Sequence, residues 1–405
     1  MTWDAVVVGG GPAGSASAAL LAADGWRVLL IDRARFPRRK PCAECVNPAG
    51  VAALRRLGVL DRVMEAGPAR LDGWRIASDG GPSFLGRFHD VHGIALPRER
   101  LDAILLDHAR ACGAEVREGL KVTDLLWDDV ETTSPSGFGG GESLSERRGR
   151  AVRGVIAGGE EIRARVVIGA DGLRSIVLRR LGLLARAPKL RKLALTAHVR
   201  GLGDMGGCGT VRARGRGCVG VADVGGGLAN VTVVVPAEQA HEVGGHAEAY
   251  FDAALRECGF ADAERVDDVL ATGPFDCPVR RAVADGAVLV GDAAGYYDPF
   301  TGQGIYRALR GAELAAEAIG AALRTRDTSA AALMPYECAR RRAFGPGERL
   351  QRMVEAFVSR PQLLRWAAGR LDRRPRLASA MVRATGDVDP VRSLLRPSLI
   401  AQLIV

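Results

Sequence analysis

Three short apolar runs, each followed directly by a glycine, dominate the hydrophobic pattern of this chain. They occupy residues 6–8, 166–168 and 288–290. Uninterrupted runs rich in valine predict strands of a buried parallel sheet, and ligands of such sheets bind beyond the carboxyl ends of the strands. We therefore expect the loops that follow the three runs to meet at one edge of a single sheet.

The first run begins a strand–helix–strand unit. Residues 3–8 predict a strand, the alanine-rich residues 15–23 predict a helix, and residues 27–31 predict a second strand. This order of elements is typical of the unit that binds one half of a dinucleotide.

A glycine-rich turn, Gly9-x-Gly11-x-x-Gly14, joins the first strand to the helix. Gly9 permits a tight turn, Gly11 lets a pyrophosphate approach the backbone, and Gly14 lets the helix pack against the strand. The phosphates are expected at the helix N-terminus. Asp32 follows the second strand, and its carboxylate is predicted to accept hydrogen bonds from ribose hydroxyls. The unit predicts a dinucleotide site rather than a glycine turn without a ligand.

Two further glycine loops favour FAD over a nicotinamide dinucleotide as the tightly bound cofactor. A nicotinamide dinucleotide needs one such unit and its neighbours, whereas FAD also carries a ribityl chain and an isoalloxazine ring. Asp292 follows the third run and is placed to accept hydrogen bonds from ribityl hydroxyls. Gly302 and Gly304 precede a helix predicted over residues 306–323, whose positive end is expected beside the ring. Each acid taken alone would also suit a helix N-cap.

These loops resemble the fingerprints of a known family. Together with residues 169–172 and 298–304, they are similar to the cofactor motifs of the FAD-dependent monooxygenase superfamily, which has the p-hydroxybenzoate hydroxylase fold. Residues 36–42 (Phe-Pro-Arg-x-Lys-x-Cys) and 298–305 most resemble its geranylgeranyl reductase-like branch. The resemblance implies an α/β fold: a Rossmann-type FAD-binding domain with a three-layer, parallel sheet, an inserted antiparallel β-sheet substrate domain and a C-terminal helical region.

The resemblance also implies which residues bind FAD. Asp32 and Arg33 would hold the adenosine end, Arg100 would reach the ribityl or phosphate region, and Asp171 with Gly172 would form a fingerprint shared by flavin and nicotinamide sites. NAD(P)H is the implied transient reductant. The implied cofactor-binding residues are Gly9, Gly11, Ala13, Gly14, Asp32, Arg33, Arg100, Asp171, Gly172, Gly291, Asp292, Pro299, Gly302, Gly304 and Ile305.

The usual interruption of the flavin domain in this family implies the domain boundaries. Alternating apolar and polar residues over 194–199 and 229–235 add strands to the predicted substrate domain. Residues 131–150, rich in glycine and serine, predict a flexible hairpin loop. The expected boundaries are 1–72, 98–189 and 272–345 for the FAD-binding domain, 73–97 and 190–271 for the substrate domain, and 346–405 for the helical region.

The substrate motifs are less specific than the cofactor motifs. The chain lacks the halogenase signature Trp-x-Trp-x-Ile-Pro, and residues 215–222 stand where archaeal and plant geranylgeranyl reductases carry Tyr-x-Trp-x-Phe-Pro. Halogenation is therefore disfavoured, and we expect an NAD(P)H-using monooxygenase that hydroxylates a hydrophobic aromatic or polyketide-like molecule. The alternatives are a reductase that saturates C=C bonds of a prenyl or polyketide substrate, and a non-catalytic FAD-binding protein.

Cys42 and Cys45 form a Cys-x-x-Cys motif. The motif would suit a redox pair or half of a zinc site, but the chain lacks the second glycine fingerprint of disulfide reductases and a second metal-binding pair, and no metal is predicted. Cys42 alone resembles a cysteine that geranylgeranyl reductase relatives place near the flavin, so it is expected at the active site. Tyr296 and Tyr297 are expected to line the substrate pocket. The six histidines are scattered, and none is assigned a role.

Charge and composition narrow the remaining choices. Residues 340–405 hold 14 arginines and five acidic residues, which accounts for the whole formal net charge of +9. We expect a helical cap on the flavin domain with an arginine-rich exposed face, and peripheral contact with a membrane is the alternative. Nucleic acid is not an expected partner, because aromatic interleaving and a known binding fold are missing. Without a long apolar segment or a signal peptide, a cytoplasmic protein is expected.

Overall fold

The computed structural model describes residues 2–128, 150–189 and 192–395. Within these residues the chain forms 19 strands and 11 α-helices, arranged as two large sheets, one small sheet and the helices around them. The strands are β1 (Trp3–Val8), β2 (Val28–Asp32), β3 (Cys45–Val46), β4 (Ala69–Leu71), β5 (Gly73–Ala77), β6 (Ser83–Arg87), β7 (Gly93–Ala95), β8 (Glu115–Glu118), β9 (Val122–Trp127), β10 (Val152–Ala157), β11 (Glu160–Gly169), β12 (Lys192–Arg200), β13 (Cys208–Arg214), β14 (Gly217–Gly225), β15 (Leu228–Pro236), β16 (Glu264–Arg265), β17 (Leu270–Thr272), β18 (Val283–Ala284) and β19 (Ala287–Leu289). The helices are α1 (Pro12–Ala23), α2 (Pro48–Arg56), α3 (Leu60–Glu65), α4 (Arg98–Ala111), α5 (Ile176–Arg180), α6 (Ala240–Val243), α7 (Ala247–Glu257), α8 (Gly304–Thr325), α9 (Ala330–Val358), α10 (Pro361–Asp372) and α11 (Pro375–Thr385).

The first sheet carries the three apolar runs in its centre. Its strand order is β18–β19–β11–β1–β2–β8, and β19, β11, β1, β2 and β8 are mutually parallel. Val8 pairs with Gly169, and Gly169 pairs with Leu289, so the three runs end side by side. The expected convergence of the three loops at one sheet edge is confirmed. Helix α1 packs on β1 and β2 and contacts α4 and α8, and the predicted α/β fold class is confirmed.

The second sheet is mostly antiparallel, in the order β16–β12–β15–β14–β13–β5–β6, with β17 also paired to β12. Along β15, Val231 and Val233 are buried in an apolar core that includes Phe251 of α7. Asn230 and Thr232 alternate with them and therefore face the opposite side of the sheet, toward the loops of the first sheet. Both strands expected from sequence alternation are present, within β12 and β15.

The C-terminal helices divide between the two large sheets. Helix α9 packs against α8, as expected for a cap on the flavin domain. Helices α10 and α11 instead lie on β6, the edge strand of the second sheet, where Phe88, Leu371 and Val382 are buried together. The expected packing of this whole region on the flavin domain is therefore wrong for α10 and α11. Helix α9 also runs without interruption across the boundary expected at residue 345.

The segment expected to open the substrate domain is shared between two sheets. Strands β5 and β6 belong to the second large sheet, whereas β7 pairs with β3 and β4 in a small three-stranded sheet. The loop expected at 131–150 lies outside the described residues except for residue 150, and so do residues 396–405. Among the helices of the described residues, none combines the length and the apolar composition needed to cross a membrane.

Candidate active site

The three glycine loops touch one another directly. Gly9 has a φ of +106°, and a Cβ at this position would lie 2.5 Å from the carbonyl oxygen of Ala170 in the second loop. Gly291 has a φ of +64°, and a Cβ there would lie 2.9 Å from the Cβ of Ala13 in the first loop. Left-handed backbone and contacts this close both require glycine. The first loop therefore binds the other two into one surface.

The start of α1 is built around two glycines with different roles. A Cβ on Gly14 would lie 1.8 Å from the carbonyl oxygen of Gly9, so only glycine lets the helix pack this closely on the strand. A Cβ on Gly11 would meet only the Nη2 atoms of Arg98 and Arg38, at 3.8 and 3.9 Å. The space in front of Gly11 thus lies between two guanidinium groups and the N-terminus of α1, which is a favourable site for phosphate.

Arg98, and not the expected Arg100, supplies the buried cation beside this loop. The Arg98 side chain forms a bidentate ion pair with Asp102, with Nε–Oδ1 and Nη2–Oδ2 distances of 2.7 Å. Arg38 also bonds Asp102, at 3.1 Å. Arg100 lies outside the cavity and donates to the carbonyl oxygen of Ala66. The expectation for Arg100 is wrong because residues 98 and 102 share the inward face of α4, one turn apart, while residue 100 faces away.

Asp32 first organises the loop that it was expected to serve. Its carboxylate accepts hydrogen bonds from the amides of Gly10 at 2.6 Å and Ala34 at 2.7 Å. The contact with Gly10 fixes the glycine turn onto the end of β2. The role of Asp32 toward a ribose stays a prediction. Arg33 is exposed and does not line the cavity described below.

The second loop combines a helix cap with an unpaired oxygen. Asp171 accepts a hydrogen bond from the amide of Ile176 at 2.6 Å, at the start of α5. Its Oδ1 atom is buried without a hydrogen-bond partner in the described part of the chain. Burial raises the pKa of Asp171. Gly172 lines the cavity, and the ammonium of Lys40 lies 3.3 Å from the position that a Cβ on Gly172 would take.

The third loop and the N-terminus of α8 form the opposite side of the cavity. Gly302 adopts a left-handed conformation with a φ of +66°. Gln303 precedes α8, and no side chain caps the helix, so its first amides are available to a ligand. Six expected cofactor residues of this loop line the cavity, namely Gly291, Asp292, Pro299, Gly302, Gly304 and Ile305.

A large cavity lies between these loops and the second sheet, with an empty volume of about 1520 Å³ that includes its opening to solvent. Trp74, Val211, Val221, Phe275 and Phe300 give it apolar walls. Pockets for drug-sized ligands measure about 300–1000 Å³. The cavity therefore has room for the ring end of a flavin and an apolar substrate beside it.

Cys42 and Tyr296 both line this cavity, and Tyr297 does not. The amide of Glu44 donates to the Cys42 sulfur at 3.3 Å, and Asn230 donates to the Cys42 carbonyl oxygen at 2.9 Å. Burial raises the pKa of the Tyr296 hydroxyl well above its usual value. The expectation for Tyr297 is wrong because its ring packs under the guanidinium of Arg352, at 5.7 Å.

Cys45 behaves as a packing residue, as expected. It is buried in the apolar core shared by the small sheet and the C-terminal helices, and burial raises the pKa of its thiol. Both Cys42 and Cys45 are free thiols. The motif therefore places one accessible thiol and one buried thiol on opposite sides of a short loop.

Sequence reasoning missed several residues at the site. Arg98 carries a readable signal, because an arginine and an aspartate four residues apart share one helix face. The alternation in β15 that predicted the strand also indicates that Asn230 and Thr232 share a face. His198 and Glu44 carry no such signal, although His198 Nε2 lies 2.7 Å from Glu44 Oε2.

The described residues fit FAD. The glycines that only close packing explains, the uncapped starts of α1 and α8, and the orphaned Asp171 oxygen all face one continuous surface. Gly11 and Ala13 with Arg98 and Arg38 would hold the pyrophosphate, and Asp292 the ribityl chain. Gly302, Gly304 and Ile305 would contact the ring.

Comparisons with known proteins agree with this geometry. The family described as FAD binding domain matches residues 2–345. Menaquinone reductase from Mycobacterium tuberculosis is 31% identical over 383 residues, which cover 89% of this chain and 85% of that protein. Digeranylgeranylglycerophospholipid reductase from Methanothrix thermoacetophila is 32% identical over 361 residues, covering 85% and 84%. A solved flavoprotein/dehydrogenase from Cytophaga hutchinsonii has the same fold, with a TM-score of 0.80 at 19% identity over 98% of this chain and 96% of that one.

Proposed function

Because this chain belongs to the FAD-binding domain family and is an FAD-dependent oxidoreductase, we propose that it reduces a C=C bond in an apolar prenyl- or polyketide-like molecule. The observation that carries the proposal is the cavity, which combines apolar walls with two weakly acidic side chains, Cys42 and Tyr296. Reduced FAD supplies a hydride when bound. Saturation of the bond then requires a proton for the second carbon.

The chain can supply that proton inside the cavity. Tyr296 keeps its hydroxyl proton at neutral pH, since burial raises its pKa. The Cys42 thiol is free and lies on the same wall. Both groups are short and flanked by apolar residues, so a substrate next to them would be protected from water. Either group can therefore hold a proton at the site of reduction.

The named relatives add support for reduction. Menaquinone reductase and digeranylgeranylglycerophospholipid reductase are reductases by name, and each matches more than four fifths of this chain. Both names refer to apolar lipids. We propose a substrate of the same chemical kind for this chain.

Hydroxylation, which the sequence analysis favoured, is the second candidate. Residues 215–222 occupy β14 and the turn before it, where the resemblance would place an aromatic segment. Cys218, Gly220, Val221 and Ala222 line the cavity there with small side chains. This wall leaves room for a wide ring, which favours an aromatic or polyketide-like substrate over a thin prenyl chain.

One anaerobic experiment separates the two reactions. The purified protein with FAD is reduced without oxygen, using NADPH and NADH in separate samples, and then mixed with menaquinone or digeranylgeranylglycerophospholipid as probes. Reoxidation of the flavin together with a product that has gained two hydrogen atoms supports the reductase. A product that forms only after oxygen is admitted, with one added oxygen atom, overturns it in favour of hydroxylation. The same samples test our proposal that NAD(P)H is the reductant.

We also propose peripheral contact with a membrane surface through α9 and α10. These helices expose Met353 at 45% and Trp366 at 46%, and they carry the exposed arginines Arg352, Arg360 and Arg365. Apolar and cationic side chains together favour anionic lipid. Sedimentation with phosphatidylglycerol vesicles at low salt tests this, with phosphatidylcholine vesicles as the control. Equal binding to both, or none to either, contradicts the proposal.

A further inference from the structure

The loop between Cys42 and Cys45 is held in an unusual conformation by its glutamate. Glu44 has a φ of +61°, a left-handed backbone that side chains other than those of glycine and asparagine rarely adopt. Its carbonyl oxygen accepts a hydrogen bond from the amide of Leu96 at 3.2 Å. Its carboxylate is buried and accepts a hydrogen bond from the amide of Arg98 at 2.8 Å. The loop that carries Cys42 is therefore fixed through one buried acidic side chain.

His198 holds the other oxygen of that carboxylate from the opposite sheet. The Nε2 atom of His198, on β12, lies 2.7 Å from Glu44 Oε2, and its Nδ1 atom lies 2.7 Å from Asp267 Oδ2. Asp267 also accepts a hydrogen bond from the backbone amide of His198 at 2.9 Å and forms an ion pair with Arg39 at 2.9 Å. Both ring nitrogens face carboxylate oxygens, which accept and cannot donate, so the ring fits this position as an imidazolium.

Burial lowers the pKa of His198, but hydrogen bonds and charge from Glu44 and Asp267 outweigh it and raise that pKa to about 9. A small polar cavity beside the ring shares Lys40, Glu44 and Asn230 with the main cavity. The titratable and charged groups that face or adjoin the ring are Glu44, Asp267, Arg39, Lys40, Glu99 and Arg265.

We propose that His198 is a positioning residue, whose imidazolium fixes Glu44 and thereby presents Cys42 to the active-site cavity. The Glu44 amide then donates to the Cys42 sulfur, while the Glu44 carboxylate accepts from the backbone of Arg98, whose guanidinium lies beside Gly11. One ion pair across the two sheets thus connects the substrate side, the cysteine loop and the cofactor side. The assignment of Cys42 to reduction rests on the proposed function; the ion pair itself does not.

The first test measures the loop without any substrate. Hydrogen–deuterium exchange of the peptide that contains residues 42–46 is followed in the FAD-loaded protein from pH 7 to 10, as a protection factor corrected for intrinsic exchange. In the wild type, we expect protection to fall at least tenfold as the pH rises through about 9. In His198→Gln, protection is expected to be low already at pH 7, with no step. The exposed His241, in α6, provides the matched control His241→Gln, which should follow the wild type.

Glu44→Gln removes the other end of the ion pair and gives the same expectation, so a misfolded His198 variant does not leave the question open. Wild-type protection at pH 7 in both His198→Gln and Glu44→Gln overturns the proposal, and so does a step near pH 9 that persists in them. Under the proposed reduction, His198→Gln should lower kcat several-fold and leave KM unchanged, because the cavity walls are intact. If no reduction is found at all, the exchange experiment still decides the role of His198.

Discussion

A side chain on Gly11 should separate cofactor binding from the stability of the fold. The backbone at Gly11 is extended, with φ −77° and ψ −175°, so any residue can adopt it. A Cβ there would lie 3.8 Å from the nearest protein atom, which is an ordinary van der Waals contact. The added atom would, however, stand where the pyrophosphate must approach the loop. Gly11→Val should therefore leave the apoprotein folded and abolish most FAD binding.

The expected magnitude follows from the hydrogen bonds that the loop can no longer make. A hydrogen bond to a charged group contributes about 1.5–3 kcal/mol. Loss of two of them costs about 3–6 kcal/mol, or about 10²–10⁴-fold in Kd. The unfolding free energy of the apoprotein should change by only about 1 kcal/mol, the usual effect of an apolar residue in place of a good N-cap.

Gly14→Ala is the informative contrast. Its Cβ would lie 1.8 Å from the carbonyl oxygen of Gly9, so α1 must shift by more than 1 Å to reach normal contact. Overpacking of this kind costs about 1–3 kcal/mol or more. Gly345→Ala, in α9 with no atom within 4 Å of the new Cβ, is the control and should not destabilise the protein.

Two measurements are needed for each variant. Urea unfolding of the apoprotein gives stability, and calorimetric titration with FAD gives Kd. Gly11→Val should change only Kd, whereas Gly14→Ala should change both. Wild-type FAD affinity in Gly11→Val would refute the assignment of this loop to the pyrophosphate.

Three further predictions concern charged groups. Asp292→Ala should weaken FAD binding by about 1.5–3 kcal/mol in the same titration, because its carboxylate is expected to accept ribityl hydroxyls; an unchanged Kd contradicts that role. Arg98→Gln should also weaken FAD binding, whereas Arg100→Gln should not, since only Arg98 lies beside Gly11; equal effects would contradict the placement of the two arginines. Burial raises the pKa of Asp387 to about 7, so the folded state holds a proton that the unfolded state releases. The resulting stability is present at low pH and is lost as the pH rises from about 4 to 7, by at most about 4 kcal/mol. Urea unfolding at pH 5 and pH 8 should reveal this loss in the wild type and a smaller one in Asp387→Asn; identical losses would exclude Asp387 as its source.

The parts of this protein that depend on neighbouring residues could be predicted from its sequence. The strand at Trp3–Val8 was predicted with the bounds that the structure has, and the helix after it begins three residues earlier than expected, at Pro12. The three apolar runs predicted adjacent strands, and the glycine loops after them do converge. Such signals are local, because burial on both faces and tight turns impose residue types at fixed spacing.

What the sequence could not decide is which distant side chains meet. Arg98 and Arg100 are equivalent in the sequence, and only the orientation of α4 against the first sheet brings one of them to Gly11. Glu44 and His198 are 154 residues apart, and their ion pair exists because β12 lies opposite the cysteine loop. The protonation of His198 follows from the same long-range packing, since burial and the two carboxylates act through space and leave no pattern along the chain.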